Sequence, residues 1–277
     1  MLLVLDILTT AAILFIVAIG LLAVFGVLKI INFAHGAWIT IGAYCAVVAA
    51  KLGLDPWAAL PLAFAVGAAL GGLAELFVIR PLYRRPLDAI LATWGLGIVI
   101  GQLITLGFGR DVQLTPNLLS GTVEILGVDY SAYRLVALGA AIVIGIGFAA
   151  AIEGTRLGLS ARAVIMNETL ARGLGIDTAR VRLVTFMAGA GLAALAGVLL
   201  TPLTSVDPNM GVGWLIGAFM LVMVADASFV ALAIACLVFG AAQVLISTFV
   251  SPILGSIAIA VLAALVLRIN PKGFSRA

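Results

Sequence analysis

The only histidine of this chain sits in Asn32-Phe33-Ala34-His35-Gly36-Ala37-Trp38, a polar interruption between two long apolar runs. An amide, an imidazole and an indole within seven residues supply donors and acceptors suited to a small polar solute. Irregular backbone flanked by such apolar sequence is tolerated only against protein or a watery cavity. Two compatible readings stand. Asn32 and His35 could cap the helix that follows and satisfy its free amides, or Asn32, His35 and Trp38 could line a passage for the solute. Thr93-Trp94 adds a hydroxyl and an indole inside another apolar run, for interhelical bonding or for the same passage. A third interruption, Ser205-Val206-Asp207-Pro208-Asn209-Met210-Gly211, reads as a turn placed to touch an external partner.

No catalytic set accompanies these groups. The sequence has no Gly-x-x-x-x-Gly-Lys-[Ser/Thr] phosphate loop, so ATP hydrolysis by that route is excluded. It has no Ser/His/Asp arrangement and no metal-type His/Cys spacing. Cys45 and Cys236 lie in apolar runs and read as inert core residues. Ionisable groups deep in a membrane mark coupling sites or proton paths, and here they are scarce: Glu75 lies near the end of one run and Asp226 at a break between two. That scarcity argues against a proton- or sodium-driven carrier. The chain is expected to be no enzyme, to bind no metal or cofactor itself, and to have no nucleic-acid partner.

The elements that must hold these residues are membrane helices. Of 277 residues 64% are hydrophobic and 10% charged, against about 25% charged in ordinary soluble domains. Runs long enough to cross a bilayer fall at 6–28, 34–50, 57–79, 88–108, 133–152, 183–201, 212–225, 228–249 and 251–268, with the second and seventh short. The first has no Lys or Arg before Lys29 and exceeds the apolar core of a secretory signal, so it is expected to stay in the mature protein. Lys29, Arg80, Arg84, Arg85, Arg156, Arg162, Arg172, Arg180, Arg182, Arg268, Lys272 and Arg276 fall on one side of these spans, and only Lys51, Arg110 and Arg134 on the other. The excess of positive charge on the cytoplasmic side puts the N-terminus outside and the C-terminus in the cytoplasm. The expected architecture is an all-α polytopic bundle of about nine full or partial spans, one domain over 1–277. It has an external loop at 109–132, with Pro116, Gly121 and Gly127 as turn-formers, and a basic cytoplasmic loop at 153–182.

Glycine pairs such as Gly67/Gly71, Gly213/Gly217, Gly95/Gly97 and Gly189/Gly191 suit close helix packing in lipid. The breaks after the first and sixth spans leave the pattern of an inverted repeat, spans 1–4 matching 6–9 around the fifth. In the cytoplasmic loop, 160–174 suits a short helix ended by Gly175, with a second helix starting at Asp177 or Thr178.

Several blocks then carry a resemblance in order along nearly the whole chain: INFAHGAWITIGAY (31–44), RPLDAILATWGLGIVIGQ (85–102), NLLSGTVEILGV (117–128), RLGLSARAV with ARGLGI (156–176), LAGVLL (195–200) and INPKGF (269–274). The sequence resembles the inner-membrane permeases of the branched-chain amino acid and urea-type ABC importers. RPLDAILATWGL and DPNMGVGWLIGAFM most resemble the urea members. The resemblance implies a bacterial inner-membrane importer subunit, for urea or a short amide first, and for branched-chain or other amino acids as the alternative. A passive urea or water channel is the rival from another class, and a structural membrane protein the third. It implies a second related permease or a second copy, two ATP-binding subunits that use the ATP, and an external solute-binding protein. Asn32, His35, Trp38, Thr93 and Trp94 are the expected solute pathway. Arg162, Glu168, Ala171, Gly175 and Ile176 are the expected ATPase-coupling segment, where the Ala171-x-x-x-Gly175-Ile176 spacing resembles the coupling helix of such permeases; taken alone, the segment equally suits an interfacial helix on the inner leaflet. One departure stands out: family members carry a glycine-rich stretch where this chain has Val224-Ala225-Asp226-Ala227-Ser228.

Overall fold

In a computed structural model, residues 1–125, 127–271 and 273–274 are described. Lys272 and Arg276, counted above among the cytoplasmic charges, lie outside them, as does Leu126 of the external loop. The main helices are α1 (Leu2–Leu28), α2 (His35–Lys51), α3 (Ala59–Ala74), α4 (Pro86–Phe108), α5 (Ala132–Gly154), α6 (Arg156–Met166), α7 (Glu168–Gly173), α8 (Thr178–Leu200), α9 (Met210–Ala225), α10 (Phe229–Phe249) and α11 (Pro252–Ile269). Among the described residues, seven helical stretches have the length and apolarity to span a bilayer, with α3 counted together with its flanking turns as Pro56–Leu82. The remaining two spans are α2 and α9, with 17 and 16 residues, the same two that read as short in the sequence.

Helices α2 and α9 are short because they start inside the bundle. His35, the first residue of α2, donates from Nε2 to the Val17 carbonyl at 2.9 Å. Val17 lies eleven residues before the end of α1, or about 16 Å along its axis at 1.5 Å per residue. After Lys29, whose left-handed backbone (φ 54°) ends α1, the chain therefore turns back to mid-depth before α2 begins. The start of α9 meets it there: the Gly211 amide donates to Thr40 Oγ1 at 3.2 Å. The Gly36 and Gly211 backbones pass so closely that a Cβ on Gly211 would lie 1.9 Å from the Gly36 carbonyl oxygen.

The packing repeats itself. Helix α1 packs on α9 and α10 as α8 packs on α2 and α3, while α1 meets α8 and α2 meets α9. Exchanging α1–α3 with α8–α10 thus maps these contacts onto themselves, with α5 outside the repeat; α11 packs on α10, whereas α4 meets the turns that follow α3. Glycine sets several of these crossings: Cβ atoms on Gly67 and Gly71 would fall 2.6 and 2.4 Å from the Cβ atoms of Ala194 and Ala190, and one on Gly189 2.6 Å from the Gly20 carbonyl. Not every small-residue pair packs, however. Gly95, Gly213 and Gly217 have open space where a Cβ would stand, so packing within the chain does not account for them.

Two local features differ from the sequence reading. The external loop contains a hairpin, Thr122–Ile125 (β1) paired antiparallel with Val128–Ser131 (β2). Its Tyr130 hydroxyl donates to Asp6 Oδ1 at 3.1 Å, and Asp6 also pairs with Arg134, which fastens the start of α1 to α5. The cytoplasmic helix expected up to Leu174 is split at Asn167, whose extended backbone ends α6 while its side chain accepts from the Leu170 amide and caps α7.

Candidate functional site: a mid-bundle cavity and a cytoplasmic seat

The segment that returns into the bundle is held residue by residue. Asn32 accepts from the Ala34 amide through Oδ1 (3.1 Å) and from the His35 amide through its carbonyl (3.3 Å), so it shapes the entry to α2 without reaching further into the helix. The Thr93 hydroxyl donates to the Ile90 carbonyl (2.8 Å) and accepts from the Phe33 amide (3.2 Å), which pins the segment to α4. Phe33 then meets Trp94 edge-on, with centroids 5.4 Å apart.

Around the paired starts of α2 and α9 lies a cavity of about 100 Å³. Phe33, Gly36, Ala37 and Thr40 form one wall, Trp94, Gly97 and Gly101 of α4 another, and Pro208, Asn209 and Val212 a third. The three polar interruptions of the sequence converge here. The Gly36 and Ala37 amides, in the first turn of α2 before the intrahelical ladder begins, have no partner among the described residues. The positive ends of two helix dipoles thus face one small space, an arrangement that favours a negatively charged group. Phe33, Ile98, Ile100, Val212 and Leu215 make the rest of the lining apolar.

Of the five residues expected along the pathway, Trp94 lines this cavity. The other four stand behind it or away from it. Thr93 and Asn32 are buried supports, and His35 anchors α2 to α1. Trp38 is buried against Phe186 of α8 and borders a separate apolar groove between α3 and α4. The sequence reading missed Gly36, Ala37, Thr40 and Asn209. The Pro208-Asn209 break signalled the last of these, but nothing local says that two breaks nearly 180 residues apart adjoin.

At the cytoplasmic end, α7 is closed by a Schellman cap. The Gly175 amide donates to the Arg172 carbonyl and the Ile176 amide to the Ala171 carbonyl, each at 3.0 Å, with Gly175 left-handed at φ 85°. The Ala171/Gly175/Ile176 spacing is that cap. Asp177 opens α8 by accepting from the Arg180 amide at 3.0 Å. Glu168 pairs with Arg172 and Arg182, Ala171 is buried, and Arg162 borders a cavity of about 320 Å³ beneath α6. Met166, Leu170 and Leu174 are 87%, 61% and 74% exposed, so this segment presents an apolar stripe outward.

The chain matches the family model described as "Branched-chain amino acid transport system / permease component" over residues 3–268. It is 32% identical over 277 residues to the high-affinity branched-chain amino acid transport system permease protein LivH of Escherichia coli K12, covering 93% of this chain and 89% of that protein. It is 31% identical over 216 residues to BraD, the permease protein of the corresponding high-affinity system in Pseudomonas aeruginosa, covering 73% and 70%. To the probable branched-chain amino acid transport permease protein LivH of Methanocaldococcus jannaschii it is 28% identical over 204 residues, covering 70% and 64%. These relatives are named for branched-chain amino acids, and the leaning toward urea finds no support among them.

Proposed function

This chain belongs to the permease-component family of branched-chain amino acid transport systems, and we propose that it is the inner-membrane permease subunit through which an ATP-driven importer passes branched-chain amino acids. The observation that carries the solute assignment is the cavity between the starts of α2 and α9. A branched-chain amino acid has a carboxylate for the free Gly36 and Ala37 amides and an aliphatic side chain for the wall of Ile98, Val212 and Leu215. Urea has neither an anionic group nor an apolar one, so this lining gives it little purchase, and the preference first drawn from the sequence is set aside.

The magnitude of the cavity bears on mechanism. About 100 Å³ is well below the roughly 300 Å³ at which ordinary ligand pockets begin. The space is a constriction, and it must widen for a solute to pass. The cavity wall most free to move is α4, whose main contacts are with α2 and with the turns between α3 and α4. Trp94 gates its face of the cavity, with Asn32, Thr93, His35 and Trp38 fixing the surrounding backbone. The energy comes from ATP used by two partner ATP-binding subunits, seated on the stripe of Met166, Leu170 and Leu174. A second permease, a paralogue or a second copy, completes the membrane unit, and an external binding protein delivers the solute.

The test is uptake of labelled leucine at low concentration in the host, with and without this gene, urea being followed in parallel. Leucine uptake that disappears on deletion, returns on complementation and collapses when ATP is depleted is the expected result. Loss of urea uptake alone would overturn the solute assignment, and uptake indifferent to ATP would overturn the importer mechanism.

A further inference from the structure

Helix α3 does not end simply. After Ala74 it widens into a π-helical turn, Glu75–Ile79, followed by a tight turn at Arg80–Leu82. Such π-turns insert an extra residue into the helical ladder and recur at functional sites. Here the inserted turn carries Glu75, fully buried, whose Oε1 accepts from the Tyr83 hydroxyl and faces Arg80 Nε at 3.5 Å. Burial, and then the bond to Glu75, hold the Tyr83 phenol above its ordinary pKa, so it stays a neutral donor. Above the Tyr83 ring lies the Arg182 guanidinium, 4.2 Å from its centroid. Arg182 in turn pairs with Glu168 on α7. One unbroken series of contacts thus runs from the exposed cytoplasmic helix through α8 to a buried carboxylate in the membrane bundle.

The far end of that series is mechanically placed. The π-turn and the tight turn after it are, with α2, the main supports of α4, and α4 forms the Trp94-Gly97-Gly101 wall of the cavity. The Arg182 stack is also the least replaceable part, because a planar guanidinium can lie on an aromatic face while still pairing with a carboxylate, which an ammonium does less well.

We propose that the Glu168–Arg182–Tyr83–Glu75 series is the relay by which displacement of α7 moves α4 and opens the cavity, with Arg182 and Tyr83 as positioning residues. The inference rests on the permease reading above and names how its cytoplasmic seat reaches its cavity.

The experiment uses the importer assembled with its ATPase subunits in proteoliposomes. Arg182→Lys keeps the charge beside Glu168 and loses the planar stack; Tyr83→Phe keeps the ring and loses the hydroxyl. Each is expected to lower leucine taken up per ATP hydrolysed on the order of tenfold while the complex still assembles. The double variant should fall no further than the worse single one, since a chain cut twice transmits no less than a chain cut once. Spin labels at exposed Leu91 on α4 and Val143 on α5 report the motion without reference to any solute. Their separation should change on ATP binding in the parent protein and stay fixed in Arg182→Lys. Unchanged uptake per ATP, losses that multiply in the double variant, or an undiminished label shift in Arg182→Lys would each overturn the relay. A parent protein that shows the label shift but takes up no leucine would instead overturn the solute assignment and leave the relay standing.

Discussion

Thr40 shows what single residues do at the centre of this molecule. Its hydroxyl donates to the Gly36 carbonyl and accepts from the Gly211 amide, each at 3.2 Å, and so joins the two helix starts that frame the cavity. Thr40→Val keeps the shape and strands a buried amide, which costs about 1–3 kcal/mol. We expect Thr40→Val to lower the unfolding temperature in detergent and to weaken leucine uptake, and Thr40→Ser to restore both. The departure noted at 224–228 also acquires a meaning at this scale. Asp226 and Ala227 hold φ values of 43° and 62°, left-handed conformations that cost a non-glycine residue roughly 1–2 kcal/mol each. The glycine-rich stretch that the family resemblance leads one to expect there would adopt such backbone freely, whereas this chain holds it with side chains that resist it.

Among the elements, what the sequence made legible was what local physics decides. Apolar run length located every span, including the two short ones, and Asp177 announced the start of α8. Other features depended on distant chain. His35 read as a cap or a pathway residue, and its ring instead holds α2 at mid-depth on Val17, a contact no local pattern contains. The hairpin at 122–131 had an alternating pattern, Val123 and Ile125 against Val128 and Tyr130, too brief to stand out between membrane spans. Gly175 announced the end of the short cytoplasmic helix, and it does close α7. Gly175→Leu puts a branched side chain on left-handed backbone at φ 85° and should unravel the Schellman cap. We expect membrane insertion and assembly to persist while leucine transport per ATP drops; equal coupling in that variant would remove this turn from the seat.

For the whole molecule, the two-fold repetition of packing explains how one chain of 277 residues brings three sequence-distant breaks to one place. The two short helices, α2 and α9, each start inside the bundle, and the Gly211 amide bonded to Thr40 joins their starts. The uneven distribution of basic residues carries its own orientation test. Leu114 in the external loop and Met166 on α6 are 88% and 87% exposed, and the native cysteines are both buried. A membrane-impermeant thiol reagent added to intact cells should label Leu114→Cys and not Met166→Cys. The reverse pattern would invert the charge-based topology and with it the assignment of α6 and α7 to the cytoplasmic side.

The groove between α3 and α4 has a further consequence. It is about 510 Å³, lined by Leu70, Leu73, Phe77, Leu96, Leu103 and other apolar side chains, and Leu73, Phe77 and Leu103 are exposed along it. In a bilayer, acyl chains would complete the wall on which α4 leans, and the stiffness of that wall would belong partly to the lipid. A cell that retunes fatty-acid saturation as the temperature changes would then also set the friction against the swing proposed for this helix.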